Sequence, residues 1–148
     1  MKSRPGSTAS VETAELVDLL TVTQRALARD LAGALEEEGA TLDQWRILRA
    51  LDTEQGRPMG ELAACLEIAN PTLTRLVDGL ADSAHLYRTQ SSQDRRKVSV
   101  HLSDRGRSLL RRLDALAIAY EAAIATRLGD ETVKKLIHCL RQARDCAT

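Results

Sequence analysis

Two short stretches of this chain hold residues whose types and spacing suit contact with a polyanion. The first, 71–75, offers Pro71, Thr72, Thr74 and Arg75. The second, 94–97, reads Asp94-Arg95-Arg96-Lys97, a run of cations behind a single acid. A guanidinium binds phosphate or the edge of guanine bidentately, and a threonine offers a hydroxyl to phosphate or a methyl to thymine. An arginine at the tip of a loop also suits the minor groove of a duplex, whose negative potential attracts it. In such a division of labour the first stretch supplies specificity, and the arginines supply affinity and its salt dependence.

The surrounding pattern predicts elements able to hold these stretches. Leu62 and Leu66 form the inner face of a short helix over 60–66. After a turn at 67–70, Asn70 is a preferred N-cap and Pro71 suits the first helical position. The helix over 71–82 then buries Leu73, Leu76, Val77 and Leu80, leaving Pro71, Thr72, Thr74, Arg75, Asp78 and Gly79 outward. Arg75 is the only base on that face. Two short helices so close together have the length pattern of a helix-turn-helix. Beyond them Val98, Val100 and Leu102 alternate with Ser99 and His101, the period of a strand with one buried face. Residues 87–91 are its antiparallel partner, and 92–97 the polar loop between them.

Longer helices flank this centre. Leu16, Leu20, Leu27, Leu31 and Leu35 mark the first, with Gly39 as its stop. Thr41-Leu42-Asp43-Gln44 has the form of a capping box opening a second, which carries Leu42, Trp45, Leu48 and Leu51 on one face. A loop is predicted at 55–58. Ser103 caps a long helix with apolar positions Leu109, Leu113, Leu116, Tyr120, Ile124 and Leu128. Gly129-Asp130 leads into a last helix with Val133, Leu136, Ile137 and Leu140 inward. The predicted fold is mainly α, with about six helices and a small β-hairpin wing.

The 148 residues fit one domain behind a polar tail at 1–10. With no Phe, one Trp and two Tyr, the core must be built of Leu, Ala, Ile and Val, which suits helices. No apolar run approaches the length of a membrane span, and the polar start is no secretory signal, so a cytoplasmic protein is expected. The formal net charge is +0, yet the charges are not evenly spread. Residues 11–66 hold 11 acids and 5 bases, whereas 87–112 hold 8 bases and 2 acids. That basic segment is where a polyanion would bind, although a solvated charged surface reads the same way.

At these residues the chain resembles the MarR family of winged helix-turn-helix transcriptional regulators. The stretch LDQWRILRAL (42–51) looks like the family's second helix. Glu61-Leu62-Ala63 with Leu66, then NPTLTRLVDGL (70–80), looks like its helix-turn-helix. Asp94-Arg95-Arg96 followed by VSVHLSDRG looks like its wing, with Ser103 in place of a more usual Thr. The resemblance runs from about residue 12 to 144. It implies that Asp94 orients Arg96 into the minor groove while Arg95 meets phosphate. It also implies one domain over 11–148: a DNA-binding winged helix at about 41–103, and dimerisation helices at about 11–38 and 104–146. The homodimer would grip a near-palindromic double-stranded operator, typically as a repressor released by a small aromatic or phenolic effector. One departure concerns the end of the recognition helix, where a Gly is common and this chain has Ser83-Ala84-His85-Leu86. Without glycine, a turn built differently is expected there.

Other candidates carry weaker chemistry. Trp45 is either a core residue or a wall of the effector cleft, and Arg46, Arg49 and Arg111 are either partners for an anionic effector or solvated surface. Cys65 lies on the first short helix, where oxidation would disturb DNA docking, but scattered thiols in a cytosolic protein are usually reduced and silent. The histidines are dispersed, so no metal site and no cofactor are expected. No nucleophile–base pair or phosphate-binding glycine loop marks an enzyme. The alternatives to an effector-released regulator are a winged-helix interaction module without DNA binding and a cysteine-based redox-sensing regulator.

Overall fold

The capping box forms as its residues require: Gln44 N–H donates to Thr41 Oγ1 at 3.2 Å and Thr41 N–H donates to Gln44 Oε1 at 2.9 Å. It opens α2 (Leu42–Ala50), which follows α1 (Glu15–Glu36). The computed structural model describes residues 15–90, 94 and 97–146. The elements that follow are β1 (Arg57–Pro58), α3 (Met59–Leu66), α4 (Asn70–Asp82), β2 (Leu86–Gln90), β3 (Val98–Leu102), α5 (Asp104–Leu128) and α6 (Asp130–Cys146). The strands form an antiparallel sheet in the order β1-β3-β2.

The sheet corrects one expectation. The loop predicted over 55–58 includes a strand, because Arg57 and Pro58 pair with Val100 and Ser99 along the free edge of β3. Pro58 is tolerated there because an edge residue need not donate on both sides. The hairpin partner of β3 is Leu86–Gln90, one residue earlier than the predicted 87–91.

The core is aliphatic, as the composition requires. Leu35, Ile47, Leu48, Leu51, Leu62, Leu73, Leu113, Val77 and Val100 are its largest fully buried side chains. They come from five helices and the sheet; α5 packs against α1, α2, α6 and β3, while α3 and α4 pack on each other and on α2. The outer helices behave differently. No residue of α6 is buried, and Leu16, Val17, Leu19 and Val22 of α1 are all exposed. The inward packing predicted for Val133, Leu136, Ile137 and Leu140 is therefore not met within the chain, and neither is that of Leu128.

Where α4 meets the wing, the backbone takes the conformation that glycine usually supplies. Ala84 adopts φ +59°, so the expectation of a differently built turn is not met. The turn is the left-handed closure common at helix ends, with His85 N–H donating to Leu80 O at 2.8 Å and Ala84 N–H to Ala81 O at 2.9 Å. Ser103 locks it to α5. Its N–H donates to His85 O at 3.0 Å, and its hydroxyl lies 2.7 Å from Ala84 O while accepting Gly106 N–H at 2.9 Å. Burial, then the nearby Arg105 and Arg112 cations, push the His85 imidazole below its ordinary pKa, so it stays neutral at pH 7.

Candidate nucleic-acid interface

The helix pair α3 and α4 is joined by a turn in which Glu67 takes the left-handed conformation that glycine often supplies, at φ +53°. Ile68 N–H reaches back to Ala63 O at 3.2 Å, and Ile68 itself packs against the core. Arg46 from α2 donates to Leu66 O at 2.8 Å, satisfying one carbonyl left open at the end of α3. The cap of α4 is corrected: its N-cap is Ala69, with no side-chain bond, and Asn70 is already helical. Pro71 still occupies the first turn, where its missing N–H is no loss.

From this start α4 buries Leu73, Val77 and Leu80 and leaves Pro71, Thr72, Thr74, Arg75, Asp78 and Gly79 exposed. Leu76 is half-buried. Thr74 Oγ1 donates to Asn70 O at 2.9 Å, so its proton is spent within the helix. Its methyl and its acceptor lone pair remain available outward. The wing rises beside this helix. Across its outer face Tyr87 stacks on His101 with ring centroids 5.1 Å apart, and Thr89 Oγ1 shares a proton with His101 Nε2 at 2.9 Å. At the hairpin end Lys97 N–H donates to Asp94 O at 2.9 Å, and both residues are exposed. Arg95 and Arg96 lie outside the described residues.

The basic segment is narrower than its count of charges. Arg88 pairs with Asp78, Arg107 with Asp52 at 3.5 Å and Arg112 with Glu38 at 2.8 Å. Each of these guanidiniums is engaged by a carboxylate from another part of the fold. Sequence reasoning missed them because each partner is remote along the chain; the one signal was an acid, Asp78, on a face otherwise suited to a polyanion.

The residues proposed for an effector divide into two groups. Trp45 is buried, its Nε1 donates to Asp114 Oδ1 at 2.8 Å, and the Arg49 guanidinium lies over its ring at 4.9 Å. Arg49 also approaches Asp114 at 3.8 Å. Asp114 was not anticipated. Arg46 belongs elsewhere: with Ala64, Cys65, Glu67 and Arg144 it lines a groove of about 490 Å³. Arg111 donates to Ser108 Oγ at 3.0 Å on its own helix. Cys65, Cys139 and Cys146 are free thiols at exposed positions.

A helix-turn-helix with an exposed second helix, a β-hairpin beside it and long helices on either side define a winged helix-turn-helix protein. The model of the MarR family matches residues 40–98 of the chain. It is similar to the HTH-type transcriptional regulator TtmR of Methylorubrum extorquens (strain PA1), at 33% identity over 91 residues, 62% of this chain and 47% of that protein. The chain thus spans about half the length of that relative. Among solved structures it is similar to the transcriptional repressor CouR bound to a 23-mer DNA duplex, with a TM-score of 0.80 and 27% identity over 92% of this chain and 99% of that one. It is also similar to NadR in complex with 4-hydroxyphenylacetate, with a TM-score of 0.75 and 25% identity over 93% and 97% of the two chains. These relatives are regulators, not enzymes.

Proposed function

We propose that this chain is a homodimeric DNA-binding transcriptional regulator, a repressor released by a small aromatic or phenolic molecule. The observation that carries the reading is the outer face of α4: Pro71, Thr72, Thr74 and Arg75 stand exposed over a fully buried stripe, beside a hairpin whose loop is basic. That helix enters the major groove, and the loop with Arg95, Arg96 and Lys97 follows the flanking minor groove. Asp94 orients Arg96. In this reading residues 41–103 bind DNA, while 11–38 and 104–146 join two copies over a near-palindromic operator.

Repression follows from occupancy, since a dimer seated on a promoter blocks it without further chemistry. The likeness to the repressor CouR on its duplex supports this sign, and the likeness to NadR with its phenolic ligand supports the effector class. The effector would bind beside Trp45 and Arg49, away from Arg46 and Arg111, and shift the spacing of the two recognition helices. No helix among the described residues is long and apolar enough to cross a membrane. Action on chromosomal DNA places the protein in the cytoplasm.

The test is a mobility shift on the duplex that the protein selects from a random-sequence library. Affinity falls steeply between low and physiological salt, because binding releases counterions from phosphates. Arg96→Ala weakens binding by about 1–3 kcal/mol. Salt-independent binding, or no selected sequence from an intact dimer, would favour the interaction-module reading. The chain's single tryptophan makes the effector separately testable. Trp45 emission should change on titration with phenolic acids that also dissociate the complex, and a ligand that dissociates it without changing Trp45 emission argues against this cleft.

A further inference from the structure

We infer that the Asp78–Arg88 ion pair is a positioning device: it fixes the wing against the recognition helix and so sets the distance between the two DNA-reading elements. The inference rests on the DNA-binding reading above and assigns the pair a role there.

Asp78 lies on the outward face of α4, one turn beyond Thr74 and Arg75. A bare carboxylate there would repel the phosphates that the same face must approach. Arg88 of β2 answers it with a direct ion pair. The register explains how Arg88 gets there. It sits opposite Val100, a fully buried residue, so its side chain leaves the sheet on the face turned toward the helices. Arg57 flanks Val100 on the other side, and its Nε donates to Ala50 O at 2.6 Å, at the end of α2. Two arginines on either side of one buried valine thus tie the sheet to two different helices.

The base of the hairpin is seated in the core by Leu86, Val100 and Leu102, and beyond Leu86 the strand β2 is tied to α4 by Arg88. In β2 only Leu86 is buried, and the four residues after it are exposed. The Tyr87–His101 stack and the Thr89–His101 bond join β2 to β3 and reach no helix. An exposed ion pair contributes little to folding stability. Its loss should therefore leave the protein folded while freeing the wing to tilt, and a reading element displaced by about an ångström forfeits much of its contact.

The experiment is a double-mutant cycle of Asp78→Asn and Arg88→Met in the full chain. Two affinities are measured for each variant: for the duplex that the wild type selects, and for a shuffled duplex of the same length. Each single change should lower the ratio of selected to shuffled affinity about tenfold, with the double variant no worse than either single. Arg88→Lys, which keeps the charge, should retain most of the ratio, and all variants should melt near the wild type. Ratios within twofold of the wild type would overturn the proposal. So would a double variant equal to the product of the singles, which would mean that Asp78 and Arg88 meet DNA independently, as a carboxylate reading cytosine does. Failure of the wild type to select any sequence overturns the DNA-binding reading itself and the pair's role with it. That result is distinguishable, because it precedes any mutation.

Discussion

Replacing Gly106 by alanine should lower the melting temperature by roughly 6–12 °C, corresponding to about 3 kcal/mol in a domain of this size. A methyl built on Gly106 would lie 2.1 Å from the His85 carbonyl oxygen and 3.1 Å from Leu102 Cδ2. The obstacle is backbone, and it cannot rotate aside. The same carbonyl accepts Ser103 N–H at 3.0 Å, so moving it breaks the junction between the recognition helix and α5. Alanine is the better helix former by about 1 kcal/mol, which is too little to offset the clash. Gly79→Ala is the control, because nothing lies within 4 Å of the added methyl. There the helix term acts alone, and the melting temperature should rise. If Gly106→Ala melted like the wild type in calorimetry, the close packing of α5 on His85 would be wrong.

A single change on the last helix should separate the dimer. Leu136, Ile137 and Leu140 of α6 are 46%, 40% and 41% exposed, and no residue of that helix is buried within the chain. A 17-residue amphipathic helix draws its stability mostly from packing, so this face needs a partner. A second copy provides it in the proposed assembly, together with exposed Leu16, Val17 and Leu19 of α1. Burying a leucine contributes about 1.5–3 kcal/mol, and two-fold symmetry counts each substitution twice. Leu140→Glu should then raise the dimer dissociation constant by roughly 10²–10⁴-fold, read by sedimentation, with loss of affinity for the full operator. A wild-type chain that sediments as a monomer at working concentrations would refute the assembly.

Much of this architecture is legible in the residues because its signals are local. The Thr41–Gln44 box, the Leu62/Leu66 and Leu73/Val77/Leu80 stripes and the alternation at Val98, Val100 and Leu102 each fall within one element, where side-chain period and backbone geometry agree. Features that depend on remote partners were not legible. β1 is two residues long and contains proline, so it carries no strand period; only pairing with Val100 and Ser99 makes it a strand. The left-handed turns fall on Glu67 and Ala84, where tertiary packing overrides the preference for glycine. At the interface, the exposed face of α4 followed directly from its buried stripe. The partners of Arg88, Arg107, Arg112 and Trp45 did not, because Asp78, Asp52, Glu38 and Asp114 come from other elements. A charge count treated the whole segment as free to meet phosphate, and the fold withdraws three of those cations.

The Ser103 junction has a mechanical consequence. It clamps the turn that ends the recognition helix to the first turn of α5, a helix of 25 residues that runs away from it. A helix of that length spans about 37 Å, so a tilt of about 5° about one end sweeps the other through about 3 Å. That sweep is close to the spacing of successive base pairs. In the proposed dimer, a rigid lever of this length means that a modest reorientation among the dimer helices would carry each recognition helix out of register with its half-site, and a ligand causing it would not need to touch the DNA-binding surface.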